Sequence, residues 1–153
     1  QLKDNQLQLE ITLCGGSVMT MVYDHRPATR DIDCVFSVTN SKLLENILEL
    51  TKFAFNLPEG WINEEIIEPY IVYSNLKILK PRARQLLAMK ILAARPEPAK
   101  DFVDAYILCK DLNIRTREQL LKVFSDYLPL SLIGERQMNF IRYLGEDLGY
   151  DWK

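Results

Sequence analysis

Leu7-Gln-Leu-Glu-Ile-Thr-Leu13 alternates apolar and polar positions, the period of a strand with one buried face. Two glycines later, residues 17–23 read as a short apolar helix, residues 24–29 as a loop and residues 31–38 as a second strand. Asn40 or Ser41 is placed to cap a helix from about Lys42 to Leu57, with Leu43, Leu44, Ile47, Leu48, Leu50 and Phe53 on its apolar face and Pro58-Glu-Gly60 ending it. Residues 61–68 follow no clear period. Residues 70–79 read as one strand, or as two short ones split at Ser74-Asn75. From Pro81 onward the 3.6-residue period takes over, predicting helices over 82–94, 99–112, 117–127 and 133–148, punctuated by Pro96, Pro98, Asn113, Pro129 and Gly149. This order predicts an α+β fold: a small sheet with flanking helices over 1–80, and a helical part over 81–153 packed on it as one compact unit.

The 153 residues suit one domain, and 48% apolar with 26% charged residues describes an ordinary globule. A formal charge of −2 gives no overall attraction for a polyanion, so a nucleic-acid partner needs a local basic patch. Lys77, Lys80, Arg82, Arg84, Lys90, Arg95 and Lys100 form the densest basic region, although composition alone reads them as a solvated helix face. No apolar run approaches the ~20 residues that span a bilayer, and the start is not a signal peptide, so a cytoplasmic protein without membrane contact is expected. Cys14, Cys34 and Cys109 are odd in number and lack CxxC spacing, which predicts reduced, buried thiols. His25, the only histidine, is expected exposed in its loop. Tyr127, Phe140, Tyr143, Tyr150 and Trp152 are spaced for core packing. The first residue is Gln, so the sequence reads as a trimmed piece, with a helix ahead of Gln1 an open expectation.

The chemistry concentrates between Leu13 and Phe36. Asp31 and Asp33 sit two apart, and on an extended backbone such residues project from one face. Paired carboxylates suit Mg²⁺ (or Mn²⁺), which takes one or two of them and completes its shell with water and substrate phosphate. Gly15 and Gly16 allow a sharp turn and close approach of backbone N–H groups to an anion. Ser17 is placed to cap the following helix, whose positive end favours phosphate. Together these features predict a nucleoside triphosphate site.

Gly16-Ser17, thirteen residues, then Asp31-Ile-Asp33-Cys34 resembles the nucleotidyltransferase fold of the DNA polymerase β superfamily. Arg26-x-x-Thr29-x-Asp31-x-Asp33 is similar to the signature of a minimal prokaryotic group that includes AbiEii-type toxins. So is Leu86-Leu-Ala-Met-Lys90, with Arg95 and then Lys100-Asp101-Phe-Val-Asp104 after it. The resemblance covers about residues 9–112. It implies transfer of a nucleoside monophosphate from NTP to a hydroxyl acceptor, tRNA among them, and a toxin–antitoxin or phage-defence role with a cognate antitoxin. It implies that Asp31 and Asp33 hold the metal and that Gly15, Gly16 and Ser17 bind phosphate, with Arg26 and Thr29 in support. Lys90 would meet the triphosphate as a point charge, and Asp101 or Asp104 would orient Lys90 or reach the nucleotide.

The sequence departs from the wider superfamily at one point. Residues 70–79 carry no acid to serve as a third strand carboxylate, and Glu64, Glu65 and Glu68 only flank that segment. A nucleotide- or protein-binding module without catalysis is the alternative reading. Taken without the resemblance, Lys90 reads as a surface lysine whose stem covers apolar neighbours, and Asp101 and Asp104 as charges near a helix N-terminus.

Overall fold

The computed structural model describes residues 9–25, 27, 34–38, 67–94 and 100–150, the backbone alone at 35–38. The chain divides into two compact units, Gln1–Arg82 and Ala83–Lys153. The helix expected over 42–57, the loop residues Arg26 and Thr29, and Arg95 and Trp152 lie outside the described residues.

In the first unit, β1 (Leu9–Leu13), α1 (Gly15–Met21), β2 (Cys34–Val38), β3 (Ile67–Val72) and β4 (Leu76–Pro81) follow one another. The strands form one mixed sheet in the order β2-β1-β4-β3. β2 runs antiparallel to β1, β4 parallel to β1, and β3 antiparallel to β4. Ile11 stands opposite Ile78, which in turn faces Ile71, so a row of β-branched side chains crosses three strands. Of the two readings of residues 70–79, the split one holds. Ser74 and Asn75 turn the chain, and the Tyr73 N–H donates to the Leu76 carbonyl at 2.7 Å.

β3 starts three residues before the expected strand and contains Pro69. Proline lacks the N–H that a central strand needs, but β3 is an outer strand of the sheet, where its absence is tolerated. The pairing shifts register between Pro69 and Ile71. The Tyr70 hydroxyl donates to the Met21 carbonyl at 2.7 Å, tying this outer strand to the end of α1. Pro81 closes β4 rather than opening a helix.

The second unit is helical: α2 (Ala83–Leu92), α3 (Lys100–Asp111), α4 (Arg117–Ser125), a 3-10 turn at Leu130–Leu132, and α5 (Glu135–Leu148). α2 packs against α3, α4 and α5, and accordingly buries residues on several sides, including Leu86, Leu87, Ala88 and Ile91. Around it α3 supplies Ala105, Leu108 and Cys109, α4 supplies Leu120, Val123 and Phe124, and α5 supplies Phe140, Ile141 and Leu144. Phe102 meets Phe140 edge to face with ring centroids 5.5 Å apart, the favoured geometry for an aromatic pair.

The helix ends follow local chemistry. Asn113 and Gly149 take left-handed backbone angles just past α3 and α5, where glycine and asparagine are the favoured stops. Thr116 and Gln119 form a reciprocal capping box at the start of α4. Tyr143 does not join the core as expected. It is 50% exposed, and the Arg142 guanidinium lies 4.8 Å from its ring centroid. Tyr127 and Tyr150 are half-buried, and Phe140 alone of the described candidates is fully in the core. Among the described residues no helix is long and apolar enough to cross a membrane.

Candidate functional site

The register of β1 and β2 brings together the flanks of the glycine turn and of the acidic triplet. Leu13, two residues before Gly15, pairs with Cys34, the residue that follows Asp33 in sequence. Asp31 and Asp33 themselves, with Arg26 and Thr29, lie outside the described residues.

Cys14 keeps an extended conformation as the N-cap of α1, and Gly15 then turns left-handed at φ 55°. That angle costs a glycine little and an ordinary residue on the order of 1 kcal/mol or more. Ser17 does not cap the helix as expected. α1 begins at Gly15, so Ser17 lies inside its first turn rather than before it, and the helix has no side-chain cap. The Ser17 hydroxyl donates to the Cys14 carbonyl at 2.5 Å, and both Gly16 and Ser17 are buried. A serine that satisfies its hydroxyl on the preceding turn is a common alternative to capping. Thr20 does the same toward the Gly16 carbonyl at 3.1 Å. Gly15, half-buried, is the member of the triplet with an accessible backbone.

In the second unit three sequence-predicted residues meet. The Lys90 ammonium donates to Asp101 Oδ1 at 2.9 Å and lies 2.8 Å from Asp104 Oδ2. Lys90 is 4% exposed and Asp104 fully buried, while the Asp101 side chain keeps 19% of its surface in contact with solvent. The surface reading of Lys90 is therefore wrong. Its helix is enclosed by the three others, so the stem has no route along which to carry the charge outward, and the carboxylates one helix further on supply the partners. Asp101 and Asp104, three apart and so on one face of α3, both reach the same ammonium.

The strand acids also differ from expectation. Glu68 is not a flank but a residue of β3, directly opposite Lys80 in the ladder. Its carboxylate lies 2.7 Å from the Lys80 ammonium and 4.0 Å from Arg82 Nε. Residues 61–68 follow no clear period in the sequence, which is why Glu68 reads there as a flank of the strand rather than part of it. Its alternation with Lys80 across a hairpin turn was the available signal.

The densest basic region proves to be balanced by acid. Lys77 pairs with Glu10, Lys80 and Arg82 with Glu68, Arg84 with Asp126, and Lys90 with Asp101 and Asp104. Asp126, which also takes Lys122, is held below the usual carboxylate range, first by the Lys122 hydrogen bond and then by that from Arg84. Lys100 is exposed at the start of α3. A broad phosphate-binding face along this run is not what these pairings build.

None of the three cysteines is in a disulfide, Cys14 and Cys109 being buried and Cys34 half-buried. Burial pushes the Cys109 thiol up to about 12, which makes it a packing residue rather than a nucleophile. His25 is exposed, its ring stacked on Tyr23 with centroids 6.1 Å apart. Among the described residues no group of three acid, thiol or imidazole side chains is placed to hold a metal ion. No family model, no curated protein and no solved structure matches the chain.

Proposed function

We propose that the chain is a metal-dependent nucleotidyltransferase that moves a nucleoside monophosphate from NTP to a hydroxyl acceptor. The observation that carries this reading is the pairing of Leu13 with Cys34, which joins the strand before Gly15-Gly16-Ser17 to the strand after Asp31-x-Asp33. A strand end before a glycine turn, set beside the first residue after an acidic pair, is the backbone arrangement that a metal-bound triphosphate site would call for. Lys90, which meets both Asp101 and Asp104, of which the resemblance implies that one or the other orients it, is the second support.

On this reading Asp31 and Asp33 would hold Mg²⁺ or Mn²⁺, which supplies charge neutralisation on the transferring phosphate. The backbone N–H at Gly15 binds a phosphate oxygen, the task that fits an accessible glycine at left-handed φ, while Gly16 is buried behind it. Ser17 supports that turn through the Cys14 carbonyl and gives up its hydroxyl as a phosphate ligand. Lys90, fixed by Asp104 within the second unit, offers a positive charge to a phosphate oxyanion. In-line transfer asks for positioning and electrostatics more than covalent help, so no further nucleophile is needed. The resemblance puts tRNA ends among the hydroxyl acceptors, and the setting it implies is a cytoplasmic toxin–antitoxin or phage-defence pair with a cognate antitoxin.

Labelled NTPs incubated with total cell RNA, cell protein and small hydroxyl acceptors test the proposal. Transfer that is metal-dependent and lost in Asp31→Ala and Asp33→Ala supports it. Absence of transfer with all four NTPs and every acceptor class would end it. A second reading, a nucleotide-binding module without turnover, is favoured by one observation: the acid found on a later strand, Glu68, is committed to Lys80. NTP binding by calorimetry with no transfer selects that reading.

A further inference from the structure

The three charged side chains of the buried cluster are not equivalent. Asp104 lies wholly inside the second unit, whereas Asp101 sits in the first turn of α3 with part of its side chain in water. Removing a partner from a buried ion pair leaves an uncompensated charge and is strongly unfavourable. Releasing a partly solvated partner costs far less, because water and salt take over its charge. Lys90 with both acids in place carries more negative than positive charge, a poor receptor for a polyphosphate. The same ammonium with Asp101 turned away has one fixed partner and two N–H groups for other acceptors.

We propose that Asp101 is the exchangeable partner of Lys90, an internal carboxylate that occupies the ammonium until a phosphate oxyanion takes its place. This rests on the reading of Lys90 as a phosphate-binding group. Asp104 is then the fixed anchor that keeps the ammonium in position through the exchange. A carboxylate and a phosphate oxygen accept the same N⁺–H hydrogen bond at the same length, so the ligand needs no new pocket chemistry. The exchange also sets a threshold: a ligand with one weak negative charge does not displace Asp101, while a di- or triphosphate does.

Calorimetry on the full chain with inorganic tripolyphosphate, with and without Mg²⁺, tests the exchange. Asp101→Asn, which removes the charge and keeps the shape, is expected to bind tripolyphosphate on the order of tenfold more tightly than the native chain. Asp101→Ser should do the same, and Lys90→Met should abolish the gain in either background. Far-UV circular dichroism verifies that each variant is folded. Native binding left unchanged or weakened by both Asp101 variants would overturn the exchange while leaving the nucleotidyltransferase reading in place. Weakening seen only with Mg²⁺ would make Asp101 a metal ligand and likewise overturn it. Absence of binding in the native chain and in both variants would overturn the exchange and the phosphate role of Lys90 together.

Discussion

Lys77 and Lys90 hold carboxylates at nearly the same distance, 2.7 Å to Glu10 and 2.8 Å to Asp104. Their settings are opposite. The first pair spans two strands of the sheet with both side chains well solvated, 50% and 39% exposed, while the second is enclosed at 5% and 0%. Coulomb attraction at a fixed distance grows as the local dielectric falls, and so does the cost of taking each ion out of water. The sheet pair is a solubility feature that folding could do without. The helical pair is a commitment: once one charge is inside, the other has to be.

The sharpest way to break this contrast is Asp104→Ala. Lys90 would remain in an enclosed helix with Asp101 as its described acid partner, and a loss of about 3–5 kcal/mol is expected in urea denaturation followed by far-UV circular dichroism. A loss near that of an exposed pair would show that the cluster is solvated. Replacing both ions, Lys90→Met with Asp104→Leu, should recover most of that loss, to within about 1–2 kcal/mol of the native chain, because two apolar side chains no longer need desolvation. The same double variant should bind no polyphosphate, which separates what the pair does for function from what it does for stability.

Cys109 sharpens the comparison from the apolar side of the same core. Its thiol is raised from 9.0 to about 12 by burial, so the folded state keeps its proton where the unfolded state releases it. The contribution is complete below pH 9 and is lost as pH rises toward 12; a Cys109→Ala chain should lack that alkaline slope in denaturation series. Glu10→Gln, at the sheet pair, should cost less than about 1 kcal/mol and show no difference from native at ~1 M salt. The smallest effect belongs to Asp126, held low by Lys122 and then Arg84 on the surface of the helical unit. Its contribution is present above the ordinary carboxylate range and fades as pH falls through its lowered value, so Asp126→Asn should flatten only the acidic end of the stability profile.

The helical unit was legible because its boundaries are written locally. Gly149 and Asn113 take the left-handed stops that their positions suggest, and the observed helices begin and end within two residues of the predicted ones. The sheet was less so. Pro69 hid the first half of β3, since whether proline is tolerated depends on which strand is outermost, a fact of topology and not of composition. Ser17 misled for a different reason: Gly15 and Gly16 are poor helix formers, yet the helix includes them, and the hydroxyl then turns inward. Lys90 could not be placed from its own helix at all. Its acid partners come from α3, and only the resemblance suggested from the sequence that Asp101 or Asp104 would meet Lys90; the fold brings both to it.

Gln137 carries a consequence for that cluster from the far end of the unit. Its amide nitrogen donates to the Leu92 carbonyl at 3.1 Å, and its oxygen accepts from the Gly134 N–H at 3.2 Å. One buried glutamine thus fastens the final turn of α2, which bears Lys90, to the threshold of α5, forty-five residues along the chain. Sequence changes at position 137 would therefore be felt as a loosened ammonium two residues upstream of the clasp, in a protein whose acids are all intact.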